Sequence, residues 1–227
     1  MKCGWTCTQL ITVFRLHVYS SPRQAPLNLS LGGDLYIQME IARRQSSMIV
    51  AGSSLDEHLE KFQRGKDMGI RGKIVKLLGL RGKCVRHTRS SLLHSPDAPC
   101  PVVVLVCGSN DMCRRTSSLV VIDLISMAEE LVSRCTKRVI ICQLLRRQST
   151  SHFQKGMTLA ECNARVDQTN LSLEEYIEKP ATPGIQFWRH HHSVLGYRRL
   201  ARDGVHLNES RMIGFHRSVI AALLQAA

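Results

Sequence analysis

Apolar positions along this 227-residue chain fall into two kinds of run that alternate. "SSMIVAGSS" (46–54) is a brief apolar run closed by glycine. "CPVVVLVCGSND" (100–111) is a continuous β-branched run, and "KRVIICQLL" (137–145) and "PGIQFW" (183–188) repeat the pattern. Runs this short, with no polar alternation, suit strands covered on both faces. "GKIVKLLGL" (72–80) and "KCVRH" (83–87) suggest a further strand region.

Between these runs the apolar period lengthens to that of a helix. "LDEHLEKFQRGKDMG" (55–69) places Leu55, Leu59 and Phe62 on one face, and Gly65 or Gly69 can end it. "TSSLVVIDLISMAEELVSRC" (116–135) opens on Thr and Ser, as helices do. "TLAECNARVDQTNLSLEEYIEK" (158–179) and "NESRMIGFHRSVIAALLQAA" (208–227) are two more helices. Strand and helix alternate about five times, which implies βα units. The expected architecture is a three-layer α/β/α fold, flavodoxin-like, around a mostly parallel five-stranded sheet. Residues 1–46, with Pro22, Pro26 and Gly32–Gly33, are expected to form an irregular N-terminal extension, and residues 47–227 the folded domain.

Composition adds limits. Hydrophobic residues make up 44% and aromatics 5%, so Leu, Ile, Val and Ala must fill the core. The net charge of +13 admits nucleic acid or another acidic partner. That charge is dispersed, in segments such as "RGKDMGIRGKIVK", "LLRRQ" and "YRRLARD", which fits a solvated basic surface. The nine cysteines are irregularly spaced and several sit in apolar runs, such as Cys107 and Cys142. This points to reduced thiols in an intracellular, cytoplasmic protein rather than to a disulfide framework. No stretch approaches the roughly 18 apolar residues of a membrane span. Successive side chains of His190, His191 and His192 would point to opposite sides of an extended segment, so no metal site is expected there. Nothing in the pattern fixes the oligomeric state.

The chemistry gathers at the strand ends, where such folds build their sites. After the first strand come Gly52, Ser53 and Ser54; after "VVVLVC" come Gly108, Ser109, Asn110 and Asp111; before the last helix stands "DGVH", with Asp203 and His206. On these motifs the chain resembles the SGNH (GDSL-like) hydrolase superfamily of esterases and lipases, over about residues 47 to 225. "GSND" matches that family's third block and "DGVH" its Asp-x-x-His block, both completely. "GSS" stands where the first block reads Gly-Asp-Ser, so Ser53 replaces an Asp. The second block supplies a glycine; the corresponding region here is "RHTRSS" (86–91), which has none, with Gly79 and Gly82 nearby.

The resemblance implies Ser54 as nucleophile, His206 as general base and then acid, and Asp203 as the group that orients the imidazole. Asn110 and the backbone N–H of Ser54 would donate to the oxyanion, with Gly52, Gly108 and Asp111 supporting the motifs. A serine hydroxyl needs such a base, and the base needs a fixed tautomer. No metal or organic cofactor is required. The function expected is hydrolysis of a small carboxylic ester. The altered first and second blocks and the basic charge leave a second expectation, an inactive SGNH-fold module that binds nucleic acid or another acidic partner.

Overall fold

The computed structural model describes residues 47–53, 59, 70, 73–95, 100–150, 153–179, 183–191, 194 and 200–227. The expectation for residues 1–46 lies outside them. Five strands are described: β1 (Ser47–Gly52), β2 (Ile74–Gly79), β3 (Val102–Val106), β4 (Arg138–Cys142) and β5 (Ile185–Trp188). They form one sheet in the order β2-β1-β3-β4-β5. Every pairing is parallel, with Val50 beside Val104 and Val103 beside Val139. Four α-helices, α1 (Val85–Leu93), α2 (Ser117–Ser133), α3 (Leu159–Ile177) and α4 (Glu209–Ala226), and a single 3-10 turn at Asp111–Cys113 complete the named elements.

The continuous apolar runs are explained by burial on both faces. Ile49, Ala51, Val103, Leu105, Val139 and Ile141 pack with residues of α1, α2 and α3. The alternate positions Met48, Val50, Val102, Val104, Val106 and Ile140 pack with Phe215, Val219 and Leu223 of α4. A polar residue on either side of these strands would be stranded in a core, which is why no alternation is visible in the sequence. The fold is therefore the three-layer α/β/α arrangement expected. Because the chain passes from β1 to β2 on one side and then returns to β3 on the other, the strand order reverses between β1 and β3. Such a reversal leaves a crevice at the carboxyl ends of those strands.

One expected element differs. "KCVRH" is not a strand: β2 ends at Gly79 and α1 begins at Val85. The backbone N–H of Val85 donates to the carboxylate of Asp111 at 3.0 Å, so a side chain far along the chain supplies the N-terminal acceptor that the local sequence lacks. The helix expected over 55–69 lies outside the described residues apart from Leu59, which is helical and buried. Two of the other helices, α3 and α4, carry local side-chain caps. Thr158 and Glu161 form a reciprocal capping box on α3, and Asn208 accepts from the N–H of Arg211 at the start of α4.

The histidine run is split by the fold. His190 is buried beside the Phe215 ring, with Nδ1 2.9 Å from Ser218 Oγ, whereas His191 is exposed. His192 lies outside the described residues. Burial holds the His190 imidazole down at about 4, so it is neutral in the folded protein. In the unfolded chain it would titrate near 6.5, and the unfolded state then binds more protons below that pH. Folding stability is thus complete above pH 6.5 and is lost as pH falls toward 4. Denaturant titrations from pH 7.5 to pH 4 should show a loss of about 2–3 kcal/mol attributable to this group. His190→Gln should remove that portion of the pH dependence while lowering stability at neutral pH.

Candidate active site

The loop leaving β3 is shaped by Gly108, whose φ is +109°. The Gly108 carbonyl accepts from the N–H groups of Asp111 and Met112, at 3.0 and 3.3 Å, and closes a tight turn. A Cβ at Gly108 would come 3.2 Å from Leu144 Cδ2, so the turn also packs closely on the β4 exit. Asp111 is buried beneath it. Besides the Val85 N–H, its carboxylate meets the Arg115 guanidinium at 3.3 Å. Burial nonetheless raises its pKa above the ordinary carboxylate value, the Val85 N–H and Arg115 opposing. Asp111 is thereby a structural tie between "GSND" and α1.

Asn110 projects from the same turn with both ends of its amide held. Its Nδ2 donates to the Lys83 carbonyl at 3.1 Å. Its Oδ1 accepts from Arg147 Nη2 at 2.7 Å. The Lys83 contact identifies the strand-end loop that borders Asn110 as Leu80–Cys84, which contains Gly82 with φ +66°. The "RHTRSS" segment, the second-block region by resemblance, is part of α1.

"DGVH" forms a compact hook before α4. Asp203 Oδ1 accepts from the backbone N–H groups of Val205 and His206, at 2.9 and 3.0 Å. Its Oδ2 lies 2.5 Å from His206 Nδ1. Burial alone would raise the Asp203 carboxyl, but the His206 ring and these two N–H donors together hold it at about 2. An ionised carboxylate on Nδ1 keeps the proton there and leaves Nε2 as the basic nitrogen. Nε2 is shielded from solvent on the far side of the ring.

The hook is itself fixed to the exit of β4. The Gln148 N–H donates to the Gly204 carbonyl at 2.7 Å. Gly204 has φ +66°, and a Cβ there would meet Ser149 Cβ at 2.9 Å and Ser149 N at 3.0 Å. Only glycine fits both constraints. The neighbouring Arg147 reaches the other way, donating to the Ser109 carbonyl at 3.0 Å as well as to Asn110. Its backbone is fixed to α3 by two bonds with the Asn163 amide, each 2.9 Å. Residues 147 and 148 thus join the "GSND" and "DGVH" loops. In the sequence they stand in "LLRRQ", which reads as surface charge. Arg147 is in fact 3% exposed. Its position just past a strand end is the one signal that could have marked it.

Gly52 closes β1 opposite Val106, and the Ser53 N–H donates to the Val106 carbonyl at 3.2 Å. This carries the chain to the β1–β3 crevice at Ser53, which is buried. Ser54 lies outside the described residues. Beyond "DGVH" a cavity of about 500 Å³ opens, with Leu144, Leu145, Val194, Leu200 and Leu207 among its apolar lining. Leu207 directly follows His206.

The basic surface is partly neutralised. Arg86, Arg89, Arg115, Arg134, Arg146 and Arg189 all pair with acids on α2 or α3, or with Asp111. Among the described residues no cluster of His, Cys, Asp or Glu could hold a metal ion. Seven cysteines there are free thiols. No described helix is long and apolar enough to cross a membrane.

Neither a family model nor a curated protein matches the sequence. Solved structures do match the fold. A GDSL-like lipase from Bacteroides thetaiotaomicron superposes with a TM-score of 0.66 at 15% identity, covering 86% of this chain and 98% of its own. An aryl esterase from M. smegmatis gives 0.59 at 13% identity, with 80% and 100% covered. A lipase/acylhydrolase from Enterococcus faecalis gives 0.53 at 14%, with 79% and 95% covered. This is the SGNH (GDSL-like) hydrolase fold. At such identities the likeness establishes the SGNH fold alone, and the site must be argued from its own residues.

The hook makes a direct test of that geometry. Gly204→Ala should cost about 2–3 kcal/mol from left-handed strain and the clash with Ser149. For a domain of this size that is a fall of about 5–10 °C in melting temperature. Gly82→Ala, at a similar φ but with open space around it, should cost less. Parallel thermal melts of the two variants would check this.

Proposed function

We propose that this chain is a serine hydrolase acting on a small carboxylic ester by acyl transfer. The observation that carries the reading is the Asp203–His206 pair, ionised at the carboxylate, ordered by three hydrogen bonds, and tied through Gln148 and Arg147 to Asn110. In this reading His206 Nε2 takes the proton of the Ser54 hydroxyl as Ser54 attacks the ester carbonyl. Asp203 keeps the imidazole in the required tautomer and stabilises the imidazolium as it forms. The carbonyl oxygen, now an oxyanion, receives N–H donors from Asn110 and the Ser54 backbone. His206 then returns the proton to the leaving alkoxide. A water, deprotonated by His206, releases the acid and restores Ser54.

The leucine- and valine-lined part of the cavity beside Leu207 would take the hydrocarbon portion of the ester, with Arg146, Asp167 and Arg189 forming a polar part of the same wall. The six paired arginines argue against a face given over to nucleic acid, although the overall charge favours acidic partners.

The test is labelling of the purified protein with a fluorophosphonate probe, with peptide mapping of the adduct. Labelling is expected on Ser54 and should vanish in Ser54→Ala and His206→Ala. A folded protein that takes no label would overturn the reading and leave an inactive SGNH-fold binding module in its place. Asp203→Asn should preserve the fold and lower kcat by about 10²–10⁴-fold, because the amide cannot hold Nδ1–H while leaving Nε2 basic. Turnover of p-nitrophenyl acetate at pH 7.5 would measure it.

A further inference from the structure

We propose that Arg147 is the positioning residue that sets Asn110 as an oxyanion donor, an inference that rests on the hydrolase reading above. A side-chain amide can present either its oxygen or its nitrogen in a given direction, and only its NH2 end can serve an oxyanion. The two partners of Asn110 remove that ambiguity. Arg147 can only donate, so the amide end facing its Nη2, at 2.7 Å, must be the oxygen. The Lys83 carbonyl can only accept, so the end facing it, at 3.1 Å, must be the nitrogen. With one Nδ2–H directed at Lys83, the second is left for a ligand.

The setting of Arg147 supports a role beyond packing. It is buried. Both bonds from its Nη2 go to neutral oxygens of the "GSND" loop, the Ser109 carbonyl and Asn110 Oδ1. Among the described residues it forms no ion pair, unlike the six arginines named above. A guanidinium held away from water with no carboxylate paired to it is costly to bury, and among the described residues the only titratable groups it is seen to influence are the Cys113 and Cys162 thiols. Here its positive charge lies behind the amide from which the oxyanion would draw a hydrogen bond. The charge would count most when that oxyanion forms, which is when a preorganised cation aids the reaction without tightening substrate binding.

The prediction is a split between kcat and KM for p-nitrophenyl acetate. Arg147→Met should lower kcat by about 10- to 100-fold with KM within about twofold of wild type. Arg147→Lys, which keeps the charge and one donor, should recover part of the loss. Asn110→Ala combined with Arg147→Met should be little slower than Asn110→Ala alone, because Arg147 acts through Asn110. A folded Arg147→Met enzyme with wild-type kcat, or a double variant whose losses multiply, would overturn the inference. Should Arg147→Met fail to fold, Arg147→Lys decides: a kcat loss of severalfold at unchanged KM supports the role, and unchanged kcat refutes it. Wild-type turnover that persists in Ser54→Ala would instead overturn the hydrolase reading itself, and this inference with it.

Discussion

The contact between Gly204 and the backbone at Gln148–Ser149 is the constraint on which the site depends. Two peptide segments from distant parts of the chain approach so closely that no Cβ can stand between them. Their hydrogen bond, Gln148 N–H to Gly204 carbonyl, fixes where the Asp203–His206 hook sits relative to the end of β4. Arg147, one residue earlier, carries the same connection to Asn110. Asp203, His206 and the Asn110 amide are therefore referred to one short piece of main chain. That piece is anchored on one side to the buried strand β4 and on the other to Asn163 of α3.

The sheet explains why this piece of chain is available. In a parallel sheet wound outward from β1, every strand delivers its exit loop to the same edge. β1 delivers Gly52 and Ser53, β2 the Leu80–Cys84 loop, β3 the "GSND" turn and β4 the Arg147–Gln148 bridge. Rigidity comes from the core beneath, where strand residues are buried on both faces. The tolerance for unusual backbone lies in the loops, at Gly108, Gly204 and Gly82. Polar burial follows the same division. Asp111 ties one loop to α1, while His190 is a neutral imidazole buried against Phe215 and Ser218 of α4, in the opposite layer.

The sequence by itself determined the layered fold. The β-branched run 102–106 and the 3.6-residue period of 117–133, 159–177 and 209–226 left little other choice, because such runs are stable only when covered as they are. It also marked Asp203 with His206 and Asn110 with Gly108, because short motifs carry their own local hydrogen bonds: the Asp203 carboxylate closes its loop within three residues. Only the tertiary structure decided the rest. The helix at 85–93 reads as strand because its N-terminal acceptor, Asp111, is 26 residues away in the chain. The loop bordering Asn110 had to be found from the Lys83 contact, not from spacing. Arg147 looked like surface charge, because burial of a cation depends on what folds over it and on acceptors supplied by other loops. Local pattern fixes which residues form strands, helices and turns; which of them meet is fixed by long-range packing, and the partnership of Arg147 with Asn110 is of that second kind.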